Sequence, residues 1–485
     1  MAVTTSEYRY SASGSIAWLA SQSLLRQLIS FALFVVLGRL LNPVDFGTVG
    51  LCASIIMIMQ SIASYGVASA VVQKPELTDD EADVAYTINW LIAGAISVVI
   101  LLTAVLLHAL QFQDNSLPHV LAILSVSPLL SAVYEIQQAR MLRMFRFDIS
   151  AKKALAAQIV SGVVAVGSAF AGAGVWSLVL QQYTALMVEL VIIVLVSPWR
   201  PRLRIERKFA LHLWSFGSHL MGARFLSTVD TRVIDIIIGA FVDQAAIGFY
   251  RVARNVFDVV MSVFATPIQS VALPYFSSKQ AEIKDVRAGF LEMTEAIAWL
   301  MLPPFLTLAV WAPVFITTVF GAKWAASGWI LQILTLQIAV LASFSLYDPL
   351  LVGIAKTRQA FRLRCWQTGV SLVLCLAAAS FGMDALVAAQ VLSLYVTAPI
   401  MFIYISRAVD LKLSTFLRQQ FTPYFFSLLF IAMAYALHRY FLEPQGLPGL
   451  LVALSCSYAC YCAAFCLFAR DTLRKRTMAL FRRMV

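Results

Sequence analysis

The chain has 485 residues, of which 61% are hydrophobic and only 13% charged, a balance that excludes an ordinary water-soluble globular protein. Its formal net charge of +11 would suit a nucleic-acid ligand. The basic residues border apolar stretches without aromatic stacking partners, however, and this excludes nucleic acid as a partner.

A hydrocarbon core about 30 Å thick is crossed by about 20 helical residues. In chain order, segments of that length lie near 15–41, 46–72, 84–110, 118–139, 154–173, 174–197, 209–239, 244–276, 289–320, 324–354, 366–383, 385–406, 420–440 and 447–469. The expected fold class is therefore all-α, a polytopic integral membrane protein with about 14 transmembrane helices. Met1 to Gly14 is polar, and the apolar stretch that follows carries Arg26 and Gln27 and is too long for a signal-peptide core. It is expected to be retained as the first helix.

With the N-terminus placed in the cytoplasm, the Lys and Arg residues fall almost wholly on one side. Arg140, Arg143, Arg146, Lys152 and Lys153, the runs from Arg200 to Lys208 and from Arg358 to Arg364, and the tail from Arg474 to Arg483 lie inside. Only Lys323 and Arg439 lie outside, and both termini are then cytoplasmic. The basic tail is read as an anchor to anionic membrane lipids of the inner leaflet. Outward connections such as Asn42–Asp45, Val242–Gln244 and Gly321–Lys323 are too short to hold a folded domain. A chemistry that needs an external catalytic domain has no place here.

Seven cysteines sit in or beside spans, and the one-turn pairs Cys456/Cys460 and Cys462/Cys466 lack a nearby His, so they are read as packing residues with no metal and no resident cofactor. Trp176, Trp311, Trp324 and Trp329 lie near predicted outer helix ends and are expected in the interfacial belt. Pro267, Pro274, Pro303, Pro304 and Pro313 are expected to interrupt helices.

The sequence repeats itself. Gly38 and Gly47 flank the turn after the first span, Gly239 and Gly248 the turn after the seventh, each pair nine residues apart. A second echo relates Gly174, Leu178-Val179 and Gln182 to Gly382, Leu386-Val387 and Gln390. Preserved order over six spans argues for two pseudo-symmetric six-helix lobes, 1–200 and 201–410, followed by two extra helices and a basic cytoplasmic tail over 411–485.

Gly38-Arg39-Leu40-Leu41-Asn42-Pro43-Val44-Asp45-Phe46-Gly47 and the run Gly66 to Lys74 resemble the opening of the Wzx-type bacterial oligosaccharide flippases. Gly174-Val175-Trp176-Ser177, Ser215-Phe216-Gly217, Asp235 to Gly239, and Phe320-Gly321-Ala322-Lys323-Trp324 continue the likeness over roughly 10–360. That family belongs with multidrug exporters and peptidoglycan-precursor flippases in a superfamily of two-lobed alternating-access transporters. The resemblance implies a non-enzymatic flippase in the bacterial cytoplasmic (inner) membrane. Its substrate would be a lipid-linked oligosaccharide, a polyprenyl-pyrophosphate carrying a sugar repeat unit, and its partners polysaccharide polymerase and chain-length proteins.

Six arginines, Arg26, Arg39, Arg224, Arg232, Arg251 and Arg254, lie within spans. Each buried Arg costs roughly 2.5–3.5 kcal/mol at a helix centre, so these groups must find water, a carboxylate or an anionic ligand. Arg251, Arg254 and Asp258 follow the spacing of one helical stripe, and Arg224 lies three turns from Asp235. One reading has a cationic cavity between the lobes, with Arg26, Arg224, Arg254, Arg251 and Asp258 at a pyrophosphate, whose planar oxygen sets match guanidinium geometry. The resemblance to the precursor flippases places Arg26 and Arg254 at positions where those proteins carry cavity arginines. The other reading makes Arg254 with Asp258, and Arg232 with Asp235, pairs that merely lower insertion cost. Asp230, Asp235 and Glu135 are candidates for proton or sodium coupling, with the ion left open; Asp348 before Pro349 is as well read as a helix cap. A multidrug exporter of the same superfamily and a membrane polysaccharide polymerase or ligase are the rival readings.

Overall fold

The computed structural model describes residues 12–61, 64–74, 77–110, 116–144, 146–206, 225–441 and scattered positions from 452 to 463. Among them the fold is all-α with no strand. Eight helices are long and apolar enough to cross a membrane, or ten if two bent pairs each count as one span. Each of the first thirteen expected spans meets a helix; the fourteenth, like Arg224, Ser215-Phe216-Gly217 and the basic tail, lies wholly or largely outside the described residues.

The chain forms two compact units, the described residues of Met1–Asn42 with Ile56–Arg224, and those of Pro43–Ile55 with Phe225–Val485. The first holds α1 (Ala12–Leu40), the end of α2 (Pro43–Ser61), α3 (Ser64–Gln73), α4 (Asp79–Ala109), α5 (Ser116–Leu124), α6 (Ser127–Arg143), α7 (Phe147–Phe170) and α8 (Val175–Val196). α4 starts where it does because Thr78 and Glu81 form a reciprocal capping box: Thr78 Oγ1 accepts from the Glu81 amide at 3.3 Å, and Glu81 Oε2 from the Thr78 amide at 3.1 Å. Beyond α8 the chain runs extended over 197–206 and is tied to the start of α4, the Arg202 amide donating to Asp83 Oδ1 (3.0 Å) and the Arg204 amide to Thr87 Oγ1 (2.9 Å). Lys153, expected in a cytoplasmic connection, is instead buried on α7. Its ammonium pairs with Glu189 at 3.0 Å, donates to Gln138 Oε1 at 2.7 Å and lies over the Tyr134 ring, which together compensate its burial.

The second unit opens with the first half of α2 and continues through α9 (225–241), α10 (Gln244–Phe264), α11 (Thr266–Ser278), α12 (Ile283–Phe320), α13 (Ala325–Thr335), α14 (Ile338–Phe344), α15 (Tyr347–Gly353), α16 (Thr357–Ala378), α17 (Met383–Val409) and α18 (Leu413–Phe441). The starts of α2 and α10 cross at backbone contact, and the crossing is reciprocal. A Cβ on Gly47 would overlap the Gln244 carbonyl, and one on Gly248 would overlap the Pro43 carbonyl, the residue four positions earlier in each case. Thr48 Oγ1 bonds Gln244 Oε1 at 2.9 Å beside this contact. Gly47 and Gly248 thus serve close helix approach, as small residues do in membranes.

The prolines act differently from expectation. Only Pro267 sits at a break: its ring opposes the carbonyl one turn earlier, and α10 and α11 meet at a 51° bend. Pro274 lies inside α11, and Pro303, Pro304 and Pro313 lie inside the unbroken α12. The span expected over 324–354 is bent by 42° between α13 and α14, a break with no proline in it. There the Leu336 carbonyl is released from the helix ladder and accepts from the Tyr395 hydroxyl at 2.7 Å. Two of the expected belt tryptophans are core residues. Trp311 is buried, and Trp324 is enclosed edge-on by Phe46 and Phe249, with ring centroids 5.4 and 6.0 Å away; Trp176 and Trp329 are exposed.

Candidate functional site

Five of the six charged residues of α9 and α10 divide between two polar centres within the second unit; the sixth, Arg232, has a buried Nε with no hydrogen-bond partner among the described residues. Asp230 and Asp235 are five residues apart, about 140° around a helix, so they face different neighbours. Asp235 is buried, accepts from Ser54 Oγ at 2.5 Å and has Arg251 Nη2 3.4 Å away, a guanidinium that also lies 3.4 Å from Ser54 Oγ. Gly50 makes room for it, since a Cβ there would come within 2.7 Å of Arg251 Nε. This centre joins α2, α9 and α10 and leaves neither charge unpaired, the condition for burying ions without a large penalty.

Arg254, Asp258 and Asp230 line a cavity of about 230 Å³ with Gln337, Gln367, Ser371, Gln390, Ser393 and Thr397. Arg254 Nε donates to Asp258 Oδ1 at 3.0 Å across one helical turn, and its guanidinium lies over Phe257. The cavity carries one guanidinium against two carboxylates and is not cationic by itself. It lies below the ~300–1,000 Å³ of pockets that take whole drug-sized ligands, so it admits one ring or head group and not an oligosaccharide. A larger concavity of about 690 Å³ between α13, α16 and α17 is lined by Leu, Ala and aromatic side chains, with few polar groups to orient a ligand.

Charge depth grades into amide depth. The Arg254 and Asp258 side chains are 30% and 54% exposed, whereas Gln337 and Gln367 are 3% and 9% exposed. Tyr250 donates to Gln390 Oε1 at 3.0 Å and Tyr347 to Gln367 Oε1 at 2.7 Å, which fixes both amides with their NH₂ groups turned from the tyrosines. Gln337, at the break before α14, has a buried Nε2 without an acceptor among the described residues, and such a donor costs about 1–3 kcal/mol unless water or a ligand in the cavity accepts from it. Sequence reasoning weighed charges and passed over these three glutamines. Their signal was an amide inside an otherwise apolar span, and Gln390 already stood in the second internal echo.

The other expected site residues lie elsewhere. Arg26 is exposed on α1, where its carbonyl accepts from Gln158 at 3.0 Å. Glu135, in the first unit, accepts from Asn89 Nδ2 at 3.0 Å. Asp348 is in the first turn of α15, 3.6 Å from Arg364. Among the described residues, no group of three or more His, Cys, Asp or Glu is placed to hold a metal ion.

A multi-span helical membrane protein with a polar cavity inside a helical unit has the architecture of a membrane transporter. The model of a family described as polysaccharide biosynthesis protein matches residues 36–328, and the chain belongs to that family. It is 22% identical over 359 residues to the teichuronic acid biosynthesis protein TuaB of Bacillus subtilis, covering 73% of each chain. It is 23% identical over 330 residues to the succinoglycan biosynthesis transport protein ExoT of Rhizobium meliloti, covering 68% of this chain and 66% of that one. Among solved structures it is similar to the lipid II flippase MurJ in an inward closed conformation, with a TM-score of 0.75 at 14% identity over 94% of this chain and 99% of that one. That likeness is one of fold.

Proposed function

We propose that this protein is a flippase. It carries polyprenyl-pyrophosphate-linked oligosaccharide repeat units from the inner to the outer leaflet of a bacterial cytoplasmic membrane, by alternating access and without making or breaking a covalent bond. Both termini lie in the cytoplasm, and the cargo passes to polysaccharide polymerase and chain-length proteins. The observation that carries the reading is the pairing of family with fold: a polysaccharide biosynthesis family member, matched over residues 36–328, built as a transporter with the fold of a lipid II flippase.

Within this reading Arg254 is the headgroup ligand in the second unit, with Arg26 and Arg224 as further cations along the path. Its pairing with Asp258 keeps the guanidinium oriented while no anion is bound. Asp230, which lines the same cavity, is favoured over Asp235 and Glu135 as the carboxylate that takes a proton or sodium ion. Arg251 and Asp235 serve their own ion pair first.

The test is transfer of a fluorescent polyprenyl-pyrophosphate oligosaccharide in proteoliposomes, read by a membrane-impermeant enzyme that reaches only outer-leaflet sugars. Wild type is expected to expose the protected fraction and Arg254→Ala to match protein-free vesicles. Arg254→Lys keeps the charge but loses the fork, and is expected to fall about 10- to 100-fold, the worth of one charged hydrogen bond of ~1.5–3 kcal/mol. Full transfer by Arg254→Ala overturns the assignment. Hydrophobic cations that compete with the lipid would move the protein to the drug exporters.

A further inference from the structure

We infer that Gln337, Gln367 and Gln390 form a sugar-reading site at the back of the second unit's cavity, built to donate hydrogen bonds to the first sugar attached to the lipid carrier. The inference rests on the flippase reading of the same cavity.

Three observations carry it. The side chains come from three separate elements, the break before α14, α16 and α17, yet they line one cavity. Gln337 Nε2 is buried and has no acceptor among the described residues. Gln367 and Gln390 have their oxygens taken by tyrosine hydroxyls, and among the described residues the acceptor at Gln367 Nε2 is the Met401 sulfur at 3.6 Å, a weak one. The back of the cavity therefore presents amide donors whose good acceptors come from water or a ligand.

Two ligand chemistries offer such acceptors, the oxygens of a phosphate and those of a sugar. Charge decides between them. The cavity holds Arg254 against Asp230 and Asp258, a formal balance of −1, and the Arg lies nearer the exposed end. A second anion driven to the back would meet neutral amides, and the cation on that side, Arg364, is already shared between Asp348, 3.6 Å away, and Asp230. A neutral ring with hydroxyl, ring-oxygen or N-acyl carbonyl acceptors meets no such opposition, and a cavity of about 230 Å³ suits a single ring. The phosphate then stays outside, at the exposed face of the Arg254 guanidinium, while the sugar ring fills the cavity. Glutamine amides held by tyrosine hydroxyls are fixed before the ligand arrives, so they discriminate by geometry as well as by polarity.

The experiment measures binding to the full-length protein in nanodiscs of three probes: polyprenyl pyrophosphate, the same lipid bearing one hexose, and the same lipid bearing one N-acetylhexosamine. Wild type is expected to bind at least one sugar-bearing lipid about tenfold or more tightly than the bare carrier. Gln337→Leu and Gln390→Leu should each remove that preference and leave the affinity for the bare carrier unchanged. Gln390 is half-buried, so its variant carries the test if Gln337→Leu does not fold. Equal affinity of wild type for all three probes overturns the inference and leaves the flippase reading standing. A parallel loss for bare and sugar-bearing lipids in both variants assigns the amides to the phosphate and overturns it as well. Failure of wild type to bind any of the three overturns the flippase reading itself.

Discussion

Asp230 and Asp258 line the cavity with Arg254, and Arg364 on α16 also acts on Asp230; this balance sets what the cavity accepts. A pyrophosphate brought to Arg254 adds at least two negative charges beside two carboxylates in a poorly solvated place, where like charges repel strongly. Entry of the head group is therefore expected to require a proton or a metal cation on a carboxylate, which couples cargo to ion without any moving part at this site. Asp258 is paired with Arg254 at 3.0 Å, whereas Asp230 has Arg364 and Arg254 only in its surroundings, so Asp230 is the one expected to take the ion. In binding measurements with the bare polyprenyl pyrophosphate, affinity should rise as sodium is added or as pH falls. Asp230→Asn should bind as tightly without sodium, at neutral pH, as wild type does with it, and lose the dependence. Unchanged ion dependence in that variant would move coupling to another carboxylate. Asp235 is a weaker candidate because Ser54 and Arg251 already engage its Oδ2.

The elements show where sequence was a good guide. Long apolar stretches became helices because in lipid every backbone N–H and C=O must be satisfied within its own segment, so span length alone nearly determines the element. The glycine echo was legible for a related reason: backbone contact tolerates no side chain, and Gly47 and Gly248 indeed face each other's neighbouring carbonyls. Where helices bend was less legible. Pro303, Pro304 and Pro313 sit in an unbroken α12, while the break before α14 needs no proline and is sustained by a hydroxyl from Tyr395 on another helix. Which site residues share a centre was less legible for the same reason. The stripe of Arg251, Arg254 and Asp258 was real as spacing, but Ser54 and Gly50 on α2 draw Arg251 to Asp235, and no local pattern contains that partner. A pair of substitutions separates the two uses of glycine. Gly47→Ala is expected to cost about 1–3 kcal/mol, because its methyl meets backbone that cannot swing aside. Gly369→Ala, on α16 with open space where the methyl would go, should be neutral or stabilising by up to ~1 kcal/mol through helix propensity. Thermal unfolding of the two detergent-solubilised variants should thus move in different directions, and a shared shift would count against the close-contact role.

At the scale of the whole molecule, α2 belongs by its first half to one compact unit and by its second half to the other, with the division at Ile55–Ile56. A transport cycle in which the units change their relation must bend α2 at that division or release its first half from α10. The two routes leave different traces. The Gly47–Gly248 crossing has backbone against backbone and the Thr48–Gln244 bond at 2.9 Å, an arrangement with no slack for partial sliding. Packed helix contacts of this kind tend to be bistable, either made or broken. Release is therefore the expected route. Thr48→Cys combined with Gln244→Cys, closed directly or through a short bifunctional thiol reagent, should stop lipid transfer in proteoliposomes, and reduction should restore it. The single replacements treated in the same way control for the native cysteines. Persistent transfer by the closed pair would mean that the first half of α2 stays with α10 throughout the cycle. In that event the bend falls at Ile55–Ile56, and stiffening that point becomes the change that arrests the protein.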